Sequence, residues 1–263
     1  MNSRNSRKGR FAAVALASLI AAAPAGFAFA QSGQTGPDAQ VQADVMKALD
    51  KKQFKDVHAS VNDGVVKLTG TVPTYADKED ADKRTHHRKN VTAVDNEIQV
   101  SSGAEVDDAT LLKKLSEKLT YDRVGYGSTA FNSITIAVHN GVVTLGGTAY
   151  GPVDKDSAVS VVSNYAGVKD VIDNITVDPL SPNDDRIRIA EFRSIYGFPS
   201  LNRYAIDPAK PIRITVVNGN VTLTGVVDSQ SDKDTAGIRA NGVPGVFKVT
   251  NQLQVANAQI GQK

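Results

Sequence analysis

Apolar and polar residues alternate along this chain in a pattern that recurs three times. Two-residue alternation puts Val57, Ala59 and Val61 on one face of a strand, and does the same for Ile134, Ile136 and Val138 and for Ile212, Ile214 and Val216. Asp63-Gly64, Asn140-Gly141 and Asn218-Gly219 follow these runs, and such pairs suit the positive φ angles of a two-residue hairpin. A return strand then points Val66 and Leu68, Val143 and Leu145, or Val221 and Leu223 to one side. Upstream, a helical spacing runs through Val41, Val45, Ala48 and Leu49 in the first copy and Leu112, Leu115 and Leu119 in the second. Asp38, Asp108 and Asp185 are the candidate N-caps of these helices, since a carboxylate accepts the unpaired N–H groups of a first turn.

Downstream of each hairpin an Asp-Lys-acid triplet opens a second helix: Asp77-Lys78-Glu79, Asp154-Lys155-Asp156 and Asp232-Lys233-Asp234. Its apolar stripe is clearest at Ala158, Val161, Val162 and Tyr165. Gly167-Val168 and Gly245-Val246 end that helix, and Asn90-Val91 takes their place in the first copy, asparagine being able to adopt the left-handed cap. A last alternating run closes each copy at Val94, Asn96, Ile98 and Val100, at Val171, Asp173, Ile175 and Val177, and at Val249, Asn251, Leu253 and Val255. The hairpin glycines lie 77 and 78 residues apart. The fold class is therefore α+β: three tandem αββαβ units, each a three-stranded mixed sheet with two helices on one face. Hairpins and caps account for the glycines. Units this small sit near the lower limit for an independent core, so neighbours are expected to pack together.

These residues resemble the BON (bacterial OsmY and nodulation) domain: a helix, then x-V-x-N/D-G-x-V-x-L-x-G, an acidic-lysine helix start, alanine, G-V, and V-x-N-x-I/L-x-V. The resemblance covers 38–101, 105–179 and 183–257, with 31–37 as a linker and 258–263 as a tail. It implies a periplasmic or outer-membrane protein that binds phospholipid, supports envelope integrity under osmotic or other stress, or serves as an attachment module. Relatives of this kind often carry two copies rather than three, and some are lipoproteins.

Charge changes the picture at the N-terminus. Arg4, Arg7, Lys8 and Arg10 precede an Ala-rich apolar run ending in Ala28-Phe29-Ala30, the pattern of a secretory signal peptide cleaved after Ala30. An uncleaved anchor is the rival reading, which Pro24 and Gly26 weaken. Without those four basic residues the 30 Lys+Arg fall to 26 against 28 Asp+Glu, so the net charge of +2 becomes −2. The chain is expected in the periplasm. With no cysteine it has no disulfide, no thiol nucleophile and no site for a lipoprotein's lipid.

The densest charge is Lys83-Arg84-Thr85-His86-His87-Arg88-Lys89, on the second helix of the first copy, where Ala81, Arg84, Thr85 and Arg88 replace the apolar stripe. It reads either as a patch for anionic lipid headgroups, with Lys83, Arg84, Arg88 and Lys89 as its candidates, or as a solvated helix balanced by Asp77, Glu79, Asp80 and Asp82. The loops between first helix and first strand are longer in copies two and three. They hold Tyr121, Tyr126 and Phe131, and Tyr196, Phe198 and Tyr204. Of these, Tyr126, Phe131, Phe198 and Tyr204 are candidate interfacial aromatics, the alternative being that they close their own small cores.

Other chemistries lack their pattern. His86 and His87 point about 100° apart on a helix, and no spacing gathers a His/Asp/Glu set, so no metal is expected. Gly125-Tyr126-Gly127-Ser128-Thr129-Ala130 matches a dinucleotide fingerprint but follows a helix and precedes a strand, the wrong order. No nucleophile elbow or base-and-orienter pair is present, so neither enzyme activity, a cofactor nor a small-molecule substrate is expected. A basic run without interleaved aromatics also argues against nucleic acid. The resulting expectation is peripheral binding to an anionic phospholipid surface. The alternative is a periplasmic scaffold for envelope proteins or peptidoglycan, with copy two at −4 and copy three at +2.

Overall fold

The computed structural model describes residues 36–101, 106–122, 129–179 and 181–256, which fall within one compact unit spanning Thr35–Lys263. The expected leader, the rest of the linker, the tail and Tyr126 lie outside the described residues. Copy one runs α1 (Gly36–Ala48), β1 (Val57–Asn62), β2 (Val65–Val72), α2 (Tyr75–His86), β3 (Ala93–Asn96) and β4 (Gln99–Val100). Copy two repeats it as α3 (Asp108–Tyr121), β5 (Ser133–His139), β6 (Val142–Ala149), α4 (Pro152–Ser163), β7 (Asp170–Asp173) and β8 (Thr176–Val177). Copy three has α5 (Pro182–Tyr196), a short α6 (Arg203–Ile206), β9 (Arg213–Val217), β10 (Asn220–Thr224), β11 (Val226–Val227), α7 (Gln230–Asn241), β12 (Lys248–Asn251) and β13 (Gln254–Val255). The first helix begins at Gly36, inside the expected linker.

In each copy the middle strand is central. It pairs antiparallel with its hairpin partner and parallel with the last strand, which is the mixed sheet the alternation predicts. The hairpin residues Asp63, Asn140 and Asn218 have φ near +50°, each followed by a glycine with positive φ, as the turn requires. Asn90 (φ +64°) does in copy one what Gly167 and Gly245 do in the others.

The last strand is broken in two, and the motif's asparagine breaks it. Asn96 accepts from the Ile98 N–H (3.2 Å) through Oδ1 and donates to the Lys78 carbonyl (3.2 Å) through Nδ2, pinning the kink to α2. Asn251 does the same with Leu253 and Lys233. Copy two has Asp173, which cannot donate, and there the Lys155 ammonium bridges instead, 2.9 Å from both Asp173 Oδ2 and the Ile175 carbonyl.

The candidate N-caps need correction. Asp107 and Ser181 cap α3 and α5, accepting from Thr110 N and Asp184 N. Asp38, Asp108 and Asp184 instead tie down the hairpins. Both oxygens of each carboxylate take the two backbone N–H groups of the facing turn, Asp63-Gly64, Asn140-Gly141 or Asn218-Gly219. Burial opposes ionisation of Asp184, but the Gly219 and Asn218 N–H groups with Ser181 outweigh it and hold its carboxyl below the usual range. Asp184→Ala should cost about 1.5–3 kcal/mol at neutral pH, the worth of charge-assisted bonds to a buried group, read from urea denaturation. Because this pKa is depressed, the contribution is complete at neutral pH and disappears as pH falls through the carboxylate range.

Each copy has its own core: Val41, Val45 and Leu49 with Val66 and Leu68; Leu111 and Leu115 with Val143 and Leu145; Ile187 and Ile195 with Val221 and Leu223. In copy two the inward leucine is Leu111 rather than Leu112. The copies also share contacts. Tyr75 at the start of α2 packs against the core of copy two, and Ala130 is part of the core of copy three.

Candidate functional site

The basic run straddles the end of α2. The helix stops at His86, and its last turn carries Thr85, buried, with its hydroxyl donating to the Ala81 carbonyl (2.9 Å). Ala81 and Thr85 thus replace Ala158 and Val162 as the inward residues, so the helix keeps a narrow buried face. Two acids that could neutralise the run do pair within it: Asp80 with Arg84 Nε (2.8 Å) and Asp82 with His86 Nδ1 (3.1 Å). Arg84 also lies 6.0 Å from the ring centroid of buried Phe54. Arg88 Nε donates to the Arg84 carbonyl (3.0 Å), and His87 Nδ1 lies 2.6 Å from the Lys83 carbonyl. The Arg88 guanidinium thus meets a carbonyl at the helix C-terminus, where the dipole favours positive charge.

The four cations therefore divide. Arg84 and Arg88 are half-buried and committed to the helix, whereas Lys83 and Lys89 are exposed and their ammonium groups make no hydrogen bond or ion pair among the described residues. Lys83 lines a cleft of about 560 Å³ between α2 and α4, with Tyr75 and Glu79 on one wall and Asp156, Ser160 and Asn164 on the other. Burial, then the charges of Glu79 and Asp170, raise the Tyr75 phenol well above its ordinary value.

Of the two readings of the aromatic loops, the placement of Phe131, Phe198 and Tyr204 fits closure of a core. Tyr204 is buried. Its hydroxyl accepts from the Asp228 N–H (2.8 Å) and lies 3.0 Å from Asp232 Oδ2, which Arg203 also reaches at 2.5 Å. Phe131 and Phe198 are half-buried against the core of copy three. Phe131 meets Tyr150 in a tilted contact (5.7 Å between ring centroids) and Phe192 edge to face (5.9 Å), and Arg239 covers Phe198 (5.4 Å). Loop residues of copy two thus seal copy three, because a 3₁₀ turn at Thr129–Phe131 packs on β9. These side chains are not brought together with the basic run.

Sequence reading missed Phe247, 83% exposed, with its ring edge over the hairpin glycine Gly219. Thr92 and Lys169 occupy its place in the other copies, so aligning the repeats shows a large aromatic at an otherwise polar, exposed position. Among the described residues no group of three His, Cys, Asp or Glu could hold a metal ion, and no helix is long and apolar enough to cross a membrane.

A profile of the BON domain matches residues 37–102, 107–179 and 200–257, the third match starting after α5. Osmotically-inducible protein Y of Escherichia coli (strain K12) is 26% identical over 200 residues, covering 72% of this chain and 92% of that protein. An uncharacterized protein in the gshII 5' region of Anaplasma centrale is 26% identical over 155 residues, covering 59% and 99%. Among solved structures, CdsD, a structural protein of the Type III secretion system of Chlamydia trachomatis, is 16% identical over 82% of this chain and 92% of that one, with a TM-score of 0.23.

Proposed function

Because the chain belongs to the BON-domain family, we propose that it is a non-catalytic protein of the bacterial envelope that binds an anionic phospholipid surface through the end of α2. The likeness to an osmotically inducible protein supports a part in osmotic stress, and the family resemblance supports the periplasm as its place. One observation carries the membrane reading: Lys83 and Lys89 extend a basic helix end without an internal partner, while the neighbouring cations are committed to the helix itself. An unpaired lysine close to an anionic leaflet is worth about 1 kcal/mol. The net charge is nearly balanced, so attraction is local to this helix end and falls with salt.

Vesicle flotation tests it. The protein lacking residues 1–30 should float with anionic vesicles at low salt and not with zwitterionic ones. Changing both Lys83 and Lys89 to Gln should weaken partitioning about 30-fold, two such lysines being worth about 2 kcal/mol. Equal flotation with both vesicle types, or none with either, would sink the proposal. With Phe131, Phe198 and Tyr204 packed between and within the copies, their substitution should reduce stability rather than binding.

A further inference from the structure

Along the first helix of each copy, one inward position lies seven residues beyond the aspartate that ties down the hairpin. Val45 and Leu115 fill it in copies one and two, and Glu191 fills it in copy three. All three are 0% exposed. Neither carboxyl oxygen of Glu191 has a hydrogen-bond partner among the described residues. Its neighbours one turn away on the inner face of α5, Ile187 and Ile195, belong to the apolar core.

No charged group on α5 or on the elements packed against it reaches the Glu191 oxygens, and the Nε of Arg188 is itself buried without a hydrogen-bond partner among the described residues. Arg188 is bound by Asp178, Asp185 and the Val216 carbonyl. On α7, Arg239 donates to the Ser194 carbonyl, Asp232 binds Ser229, Tyr204 and Arg203, Asp234 takes Gln230, and Lys233 makes no bond to Glu191. Arg203 of α6 is held by Asp228 and Asp232, and Arg213 of β9 is held below its ordinary value by burial, with Tyr196 nearby. Asp184, Asp185, Arg186 and Arg193 of α5 itself make no bond to the Glu191 oxygens either. Burial alone acts on the Glu191 carboxyl and pushes it up to about 8.

We propose that α5 is a proton-dependent latch, closed over copy three while the Glu191 carboxyl is neutral and released when that carboxyl ionises. An unpaired carboxylate in an apolar core costs far more than a neutral carboxyl, and undocking α5 brings it to water. The undocked helix would expose Ile187, Phe192 and Ile195. The sign follows from linkage: a carboxyl raised in the closed state favours closure in full below its ordinary value, 4.5. That favour weakens as pH rises and levels off beyond about 8. The latch operates whether or not α2 meets a membrane.

Hydrogen exchange on the full chain between pH 6 and 9 tests it, with α1 and α3 as internal references because Val45 and Leu115 stand at the same place. The open population of α5 should rise about tenfold per pH unit from 6 to 8 relative to those helices, one proton being released on opening. Glu191→Leu and Glu191→Gln should each abolish that rise. Exchange of α5 that parallels α1 and α3 at every pH, or an equal rise in either variant, would overturn the latch.

Discussion

Alanine at Gly147 should break copy two apart, whereas alanine at its neighbour Gly146 should leave it nearly intact. Gly147 has φ +85°, and a Cβ there would stand 1.9 Å from the Ser133 carbonyl oxygen, on the backbone of the hairpin's first strand. Gly70 repeats the arrangement at φ +109° with the same 1.9 Å approach to the Asp56 oxygen, and Gly225 at φ +127° with 2.5 Å to the Pro211 oxygen. The central strand bends at this glycine so that its second half can pair with the last short strand, β4, β8 or β13. A side chain here must adopt a disfavoured positive φ and also push two paired strands apart. Gly147→Ala should therefore cost about 3–5 kcal/mol, at the upper end of single-substitution effects. At Gly146 a Cβ meets only the Thr135 hydroxyl at 3.1 Å, an atom on a side chain that can turn away, so Gly146→Ala should cost under about 1 kcal/mol. Denaturation midpoints of the two variants, measured side by side, decide this. Equal losses would mean that the bend is not what the glycine secures.

That glycine illustrates which parts of the fold are legible in the residue pattern. Its presence three times in register is plain, and hairpins and caps account for glycines 64, 141, 219, 167 and 245, all with positive φ. The bend glycines 70, 147 and 225 belong to neither class, because their φ is imposed by a strand pairing on both sides, which local spacing does not show. Alternation predicts the strands, their hairpins and the inward Val-Leu pairs, because a period of two survives any tertiary arrangement. The helix starts are less legible. Asp107 and Asp108 are adjacent, as are Asp184 and Asp185, and only the facing hairpin decides which carboxylate turns toward it. The aromatic loops stay ambiguous in the sequence for a related reason. A loop residue's exposure depends on the neighbouring copy, and Phe131 is covered by Phe192, which lies about sixty residues further along the chain. The basic run is legible because its composition is local, yet the division between committed arginines and free lysines depends on the geometry of α2.

Removing the Arg188 side chain should loosen copy three from copy two as well as destabilise it. Arg188 is 2% exposed. It donates to Asp178 Oδ2 (3.1 Å), Asp185 Oδ1 (2.5 Å) and the Val216 carbonyl (3.0 Å), and its guanidinium lies 4.6 Å from the Tyr150 ring centroid. Asp178 and Tyr150 belong to copy two, Asp185 and Val216 to copy three, so one side chain ties the two together. Burial raises the Asp178 carboxyl above its ordinary value, with Arg188 opposing that shift, so taking the guanidinium away strands a buried acid. Arg188→Met should cost about 3–5 kcal/mol, the penalty for breaking a buried ion pair by deleting one partner. Much of that loss comes from the stranded carboxylate, so adding Asp178→Asn should cost less in the Met background than in the parent chain. A double-mutant cycle read by urea denaturation gives the coupling directly, and strict additivity would show that Asp178 and Arg188 do not stabilise one another. The other copies have Gln42 and Leu112 at the place of Arg188, so the matching substitution in either should leave the junction between copies two and three unchanged. The cross-copy tie is then specific to copy three, the copy whose first helix also buries Glu191 and falls outside the matched family pattern.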